Sequence, residues 1–240
     1  MTSTRTEQVA APDGSGGFDV TIVTPDGGSG PGILLLQEIF GVGEFVLAKA
    51  EALAVEGYVV SCPDVFWRLE RGFVAPHDET GLGAAFDRMT RWGELVDDET
   101  KAADLLAGLA HLRGLPEVAG HGVAAMGYCL GGRLAYEVAV AGDPDAIVSY
   151  YGSGIADRLA DAGRLTCPAL FHFGSEDAFI PNDQVDAIRA AFVGRDEVSV
   201  VVAEDAGHAF ENLYAPAFGN EAAAAQSWPV TLAFLRRTLN

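Results

Sequence analysis

The chain has 240 residues, of which 49% are hydrophobic and 20% are charged. These proportions are typical of a globular protein and exclude a disordered, collagen-like or coiled-coil chain. Fifteen Lys and Arg residues against 34 Asp and Glu residues give a formal net charge of -19. Because so acidic a surface repels phosphate backbones and anionic lipid headgroups, we expect neither a nucleic-acid nor a membrane partner.

Targeting and anchoring segments are not predicted from the sequence. The first 17 residues lack the apolar core of a signal peptide, and no later run reaches the roughly 18 apolar residues of a membrane span. We therefore expect a cytoplasmic protein. The three cysteines, Cys62, Cys129 and Cys167, are too scattered for a disulfide framework or a CxxC metal site.

The first half of the chain begins with a polar stretch rich in Gly, Ser and Thr, residues 1–17, which predicts a flexible arm. The segment from Pro63 to Gly93 shows no clean period, so we expect a long irregular binding loop there. The remaining patterns predict an outer strand over 18–24, a buried strand over 32–37, a helix over 44–56, a short strand over 58–61 and a helix over 97–113.

The second half alternates between apolar strands and amphipathic helices. The patterns predict strands over 123–128, 146–150, 168–173 and 198–203, and helices over 129–141, 183–192 and 221–239. Such alternation is typical of a mostly parallel, doubly wound sheet with helices on both faces. We therefore predict one α/β domain over residues 18–240.

The most informative motif joins a buried strand directly to a helix. Gly127-Tyr-Cys129-Leu-Gly131 follows the GxSxG pattern of a nucleophile elbow, with Cys in the place of Ser. The two glycines permit a sharp turn that presents Cys129 at a helix N-terminus, where partial positive charge favours the thiolate. The alternative is a buried core cysteine beside a turn whose glycines serve only close packing.

An acid and a histidine follow in the chain order nucleophile, acid, histidine that is typical of α/β-hydrolases. Asp177 comes just after the predicted strand 168–173, and we expect it rather than the neighbouring Glu176 to be the buried acid. His208 follows the last strand. The other histidines fit structural roles: His77 and His121 in surface loops, His111 in a helix and His172 packed within a strand.

A further candidate segment, Gln37-Glu38-Ile39-Phe40-Gly41, ends the first buried strand. The backbone N–H groups of Ile39 and Leu130 are candidates for an oxyanion hole, in which two amides stabilise the charge of a tetrahedral intermediate. Glu38 is either a functional carboxylate or a solvated loop acid.

These motifs, together with Tyr150-Tyr-Gly152, Glu176-Asp177-Ala-Phe-Ile-Pro181 and Gly207-His208-Ala-Phe210, resemble the dienelactone hydrolase (carboxymethylenebutenolidase) family over about residues 18–239. The resemblance implies an α/β-hydrolase fold and hydrolysis of a small lactone or ester, as in chlorocatechol breakdown, without metal or organic cofactor. It implies Cys129 as nucleophile, His208 as base and Asp177 as orienter, with an acyl-enzyme intermediate. It also implies that Glu38 takes the thiol proton when substrate arrives.

The resemblance weakens at the residues that bind substrate. The family holds a substrate carboxylate with two arginines, and one of these positions is Asn212 here. Arg88 or Arg91 is a candidate for the other. Further residues are candidates for pocket walls or for ordinary core, namely Phe40, Trp92, Tyr150 and Tyr151.

Three functions therefore stay open at this point. The first is a cysteine hydrolase of the dienelactone type, and the second is a carboxylesterase or thioesterase for neutral substrates. The third is a catalytically idle member of the fold that binds a ligand. We expect a small-molecule ester or lactone as the partner and a monomer, with a homodimer as the alternative.

Overall fold

The computed structural model describes residues 1–239, in which strands and α-helices alternate along most of the chain. The strands are β1 (Ser3–Ala10), β2 (Gly17–Thr24), β3 (Gly32–Leu36), β4 (Val59–Pro63), β5 (Val123–Tyr128), β6 (Ala146–Tyr150), β7 (Ala169–Gly174) and β8 (Val198–Ala203). The α-helices are α1 (Glu44–Val55), α2 (Glu79–Leu95), α3 (Asp98–Gly114), α4 (Leu130–Ala141), α5 (Asn182–Ala191) and α6 (Glu221–Leu239).

The described chain forms two compact units, Met1–Val123 and a second unit from Ala124 onward. Each unit has its own buried strands. The domain predicted over residues 18–240 ends at Asn240, which lies outside the described residues.

Strands in the first unit follow the order β1-β2-β4-β3. β1 and β4 each pair with β2 in the antiparallel sense, whereas β3 and β4 are parallel. All five residues of β3 are buried, which confirms the buried strand that its unbroken apolar run predicts.

The prediction of a flexible arm over residues 1–17 is wrong for residues 3–10, which form β1. This strand pairs along its whole length with β2, from Ser3 opposite Thr24 to Ala10 opposite Gly17. Its side chains are mostly exposed, and Val9 is its buried apolar residue. Backbone pairing rather than burial of side chains holds β1 in place. Its sequence therefore lacks the alternation of apolar and polar residues from which a strand is predicted.

The prediction of an irregular loop over residues 63–93 is also wrong in part, because 17 residues from Glu79 form α2. Asp78 caps this helix, since its side chain accepts a hydrogen bond from the Gly81 N–H at 2.8 Å. Three glycines lie inside the helix and weaken the apolar period on which the prediction relied. The feature of the sequence that indicates this helix is the capping residue Asp78, rather than a regular spacing of apolar residues.

The second unit contains β5-β6-β7-β8 in this order, and all of these strands are parallel. Its helices and strands match the predicted ones to within two residues at each end. The sequence patterns miss one element, a 3₁₀ helix over Ala156–Arg164. Because every residue of β5, β6 and β7 is buried, the turns that follow these strands start from a rigid core.

No helix among residues 1–239 combines the length and the apolar character needed to cross a membrane.

Candidate active site

The turn between β5 and α4 holds Cys129 in a strained conformation. Its φ is 52° and its ψ is -114°, a region that residues other than glycine rarely adopt. A Cβ at Gly127 would lie 2.2 Å from the Gly131 carbonyl oxygen, so only glycine fits at position 127. The Cys129 N–H donates to the Tyr150 carbonyl at 3.0 Å, which ties the turn to β6. The backbone therefore presents the thiol at the N-terminus of α4.

His208 lies on the loop after β8 and contacts both an acid and this thiol. Its Nδ1 is 2.8 Å from Asp177 Oδ2, and its imidazole also hydrogen-bonds with the Cys129 side chain. The side chain of His208 is only 10% exposed. The structure thus brings together the three side chains that the sequence singled out as nucleophile, base and orienter.

The charges around His208 favour its protonated form. Burial lowers the pKa of the imidazole, but the negative charges of a Cys129 thiolate and of Asp177, with their hydrogen bonds, raise it more. The net effect raises the pKa of His208 from 6.5 to about 10. A protonated imidazole at this position would stabilise a thiolate on Cys129, since a neighbouring cation activates cysteine nucleophiles.

Asp177 is held rigidly. Its side chain is completely buried, and its Oδ1 accepts backbone N–H groups from Phe179 at 2.8 Å and Ile180 at 3.0 Å. The remaining oxygen, Oδ2, contacts His208. Glu176 is exposed, as we expected for the neighbour of a buried acid. The loop after β7 thus aims one carboxylate oxygen at the imidazole and fixes the other with amides.

The segment after β3 is buried rather than solvated. Glu38 is 2% exposed, and its Oε1 lies 2.7 Å from Nε2 of His77. The placement of His77 in a surface loop is therefore corrected, because its side chain is only 9% exposed and its ring lies 4.5 Å from that of Phe40. Ile39 is also buried. Sequence reasoning missed His77 because it lies in the segment taken as irregular, one residue before the cap of α2.

The two arginines that the sequence offered as substrate ligands are both paired with acids. Arg88 forms an ion pair with Glu70. Arg91 is exposed, and its Nη1 lies 3.6 Å from Oδ2 of Asp87, one turn earlier on α2. Trp92 is 3% exposed and packs edge-on against another aromatic ring, so it belongs to the core of its unit.

The candidate pocket residues of the second unit are all buried. Tyr150 hydrogen-bonds through its hydroxyl to Thr231 at 2.6 Å, and burial raises its pKa well above 10. Tyr151 has a φ of 38°, and its ring centroid lies 5.1 Å from that of His208. Asn212 is buried, and its Oδ1 accepts the Tyr214 N–H at 3.0 Å. Of these residues, Tyr151 contacts the histidine directly.

Residues 1–239 contain no group of three or more His, Cys, Asp and Glu side chains placed to hold a metal ion.

His172 is buried and packed within its strand, as the sequence predicts. It hydrogen-bonds to Thr231 and stacks on Tyr150. Burial lowers its pKa to about 3, so it stays neutral.

A strained residue between a buried strand and a helix, in a mostly parallel sheet, defines an α/β-hydrolase. The sequence pattern of the dienelactone hydrolase family matches residues 18–239. A carboxymethylenebutenolidase from a Pseudomonas species is 40% identical over 171 residues, covering 71% of this chain and 69% of the relative. One from Pseudomonas putida is 34% identical over 173 residues, covering 72% and 71%. The chain therefore belongs to the dienelactone hydrolase family and is a hydrolase of carboxylic esters.

Solved structures share the fold. A dienelactone hydrolase-like promiscuous phosphotriesterase from metagenomic libraries superposes with a TM-score of 0.80 at 24% identity, over 99% of this chain and 100% of that one. A dienelactone hydrolase from Anabaena variabilis has a TM-score of 0.71 at 16% identity, over 100% and 99% of the two chains.

Proposed function

We propose that this protein cleaves a small ester or lactone by attack of the Cys129 thiolate on the carbonyl carbon. His208 protonates the departing alkoxide, and an acyl-enzyme forms on the sulfur. In the second half, His208 removes a proton from water, the hydroxide releases the carboxylic acid, and the thiolate returns. Asp177 accepts a hydrogen bond from Nδ1 throughout, which keeps the other ring nitrogen directed at the reacting atoms.

One observation carries this proposal. The thiol on the strained turn hydrogen-bonds with an imidazole whose other nitrogen lies 2.8 Å from a fully buried carboxylate. A structural cysteine needs neither the positive φ of 52° nor a histidine partner. The family adds a role for Glu38 as acceptor of the thiol proton, and roles for the amides of Ile39 and Leu130 as oxyanion donors.

Substitution of the nucleophile tests the proposal. Cys129→Ala should abolish turnover of a dienelactone and of short p-nitrophenyl esters, because no other group replaces the sulfur. In the native enzyme, intact-mass spectrometry of a quenched reaction should find the protein heavier by the acyl group. Retained turnover in the alanine variant would contradict the mechanism. Absence of both turnover and iodoacetamide labelling of Cys129 in the native protein would favour an idle, ligand-binding member of the fold.

A second candidate is a hydrolase for neutral esters, and the arginines favour it. Arg88 and Arg91 are engaged with Glu70 and Asp87, and Asn212 stands where the family has a second arginine. The name of the Pseudomonas relatives makes a carboxylated lactone the first substrate to compare. We expect a neutral ester of equal size to have at least an equal kcat/KM, and a clear preference for the anionic one would exclude this candidate.

A further inference from the structure

Glu211 is a buried acid, three residues beyond His208 in the segment between β8 and α6. It is 1% exposed. Acids in loops are usually solvated, and burial of a carboxyl group is costly unless hydrogen bonds compensate it. The proposed mechanism gives this residue no chemical step. Its partners within the second unit therefore decide its role.

The partners of Glu211 lie on two other elements of that unit. Its Oε1 accepts a hydrogen bond from the Ser227 hydroxyl, which is itself buried on α6. The hydroxyl of Tyr150, at the end of β6, hydrogen-bonds with both of these side chains. It also lies 2.6 Å from Thr231 Oγ1, which is 3.0 Å from Nε2 of His172 on β7. A continuous buried network thus joins the loop after β8 to α6, β6 and β7.

A strained residue separates His208 from this network. Ala209 has a φ of 56°, a conformation that residues other than glycine rarely adopt and that persists only where the flanking residues are fixed. Before His208, the Ala206 carbonyl accepts a backbone N–H of the loop after β7 at 2.9 Å. After Ala209, the completely buried Phe210 and then Glu211 fix the chain.

The loop is therefore held on both sides of the imidazole, and on the far side the hydrogen bonds of one side chain carry part of the restraint. We propose that Glu211 is a positioning residue, whose hydrogen bonds to Ser227 and Tyr150 hold the His208 imidazole against Cys129 and Asp177. This inference rests on the proposed function, in which His208 is the catalytic base. Glu211 acts through the backbone of the loop and takes no part in the proton transfers.

Two substitutions at this position separate the hydrogen bonds of Glu211 from its volume. Glu211→Leu keeps much of the volume but removes both oxygens, whereas Glu211→Gln keeps an oxygen that can accept the Ser227 hydroxyl proton. We expect the Leu variant to lower kcat by about 10-fold to 100-fold with little change in KM, as for a displaced catalytic group. The Gln variant should recover most of kcat. A Gln variant as impaired as the Leu variant would overturn the inference.

Thr231→Val is the matched control for a merely structural effect. It removes a hydroxyl from the same buried network at nearly constant volume, but Thr231 contacts Tyr150 and His172 rather than the loop. Thermal unfolding should show a loss of stability in this variant, while kcat stays within about threefold of the native value. An equal loss of kcat in Thr231→Val and Glu211→Leu would mean that activity follows the stability of the unit, and would overturn the inference.

The reactivity of the thiol shows whether Glu211 acts through His208. The rate of iodoacetamide alkylation at Cys129, assigned by peptide mass spectrometry, reports the imidazole contact because a neighbouring cation favours the thiolate. Glu211→Leu should slow alkylation in the native background, but by less than about twofold in a His208→Gln background, where the positioned group is already gone. Equal slowing in both backgrounds, or native kcat in the Leu variant, would overturn the inference.

A second route to the same contact covers the case in which Glu211→Leu does not fold. Ser227→Ala removes the donor from the α6 side and leaves the loop sequence unchanged. It should lower kcat by at least about threefold with KM unchanged, and native kcat in this variant would then overturn the inference.

Failure of this inference and failure of the proposed function give different results. If Cys129→Ala is inactive while Glu211→Leu has native kcat, the cysteine mechanism stands and the positioning role is lost. If Cys129→Ala retains turnover, the cysteine mechanism fails, whatever the alkylation rates show about the contact between His208 and the thiol.

Discussion

The glycine before the strained turn offers a sharp test of how backbone packing supports catalysis. In Gly127→Ala the new Cβ would lie 2.2 Å from the Gly131 oxygen, 2.3 Å from its carbonyl carbon and 2.9 Å from its Cα. All three are backbone atoms, so no side chain can rotate away. The first turn of α4 would have to retreat by about 1 Å to reach ordinary contact distance, at a cost of about 1–3 kcal/mol for overpacking.

The displacement acts on catalysis more strongly than on stability. Cys129 lies between the two glycines, so the same shift moves its sulfur relative to His208. A misplacement of about 1 Å at a reacting group costs on the order of 100-fold in rate. We therefore expect kcat on a p-nitrophenyl ester to fall by about 100-fold while the protein still folds at 25 °C, as its stability exceeds a loss of about 1–3 kcal/mol.

The assay combines kcat with urea unfolding. Gly163→Ala is the matched control, because a Cβ there meets nothing within 4 Å and the residue lies in the same unit. It should leave kcat unchanged. Native kcat and native stability in Gly127→Ala would refute the reasoning, since they would mean that the turn accommodates a Cβ at no cost.

Two further predictions concern His208. Asp177→Asn should lower kcat by about four orders of magnitude, as in the serine-protease triad. The backbone N–H groups of Phe179 and Ile180 keep the oxygen of the Asn side chain, so its NH2 group replaces Oδ2, donates to Nδ1 and favours the wrong tautomer of His208. Steady-state kinetics with a folded variant measures the effect, and a loss below about tenfold would contradict the orienting role. Because the pKa of His208 is raised from 6.5 to about 10 on folding, its proton stabilises the native state below pH 6.5, and this stabilisation disappears as the pH rises through about 10. The free energy of unfolding should therefore fall more steeply over this range in the native protein than in His208→Gln, and parallel curves would contradict the raised pKa.

The elements that could be predicted from the sequence are those whose apolar pattern follows directly from their burial. β3, β5, β6 and β7 are buried along their whole length, so their sequences are continuous apolar runs. The three residues of the candidate triad could be predicted from the sequence for a related reason. Each of its members follows a strand that the apolar pattern predicts, and the chain order and the glycines around Cys129 are local features of the sequence.

The segments that the sequence patterns misjudged are those formed by long-range partners. β1 has little apolar surface, and its backbone hydrogen bonds with β2 make it a strand. α2 begins at the Asp78 cap and contains glycines that hide its period. The pattern of apolar and polar side chains indicates which residues are buried. It does not indicate which backbone N–H and C=O groups form hydrogen bonds with distant segments.

Among the candidate functional residues, the sequence alone determined which residue types are available and which strand end each one follows. Only the tertiary structure decided how the charges are compensated. It pairs Glu38 with His77 at a separation of 39 residues and places a thiol and a carboxylate around His208. The physical reason is that a hydrogen bond and a pKa depend on distances of a few ångströms and on exclusion of water, and both arise only when distant segments pack together.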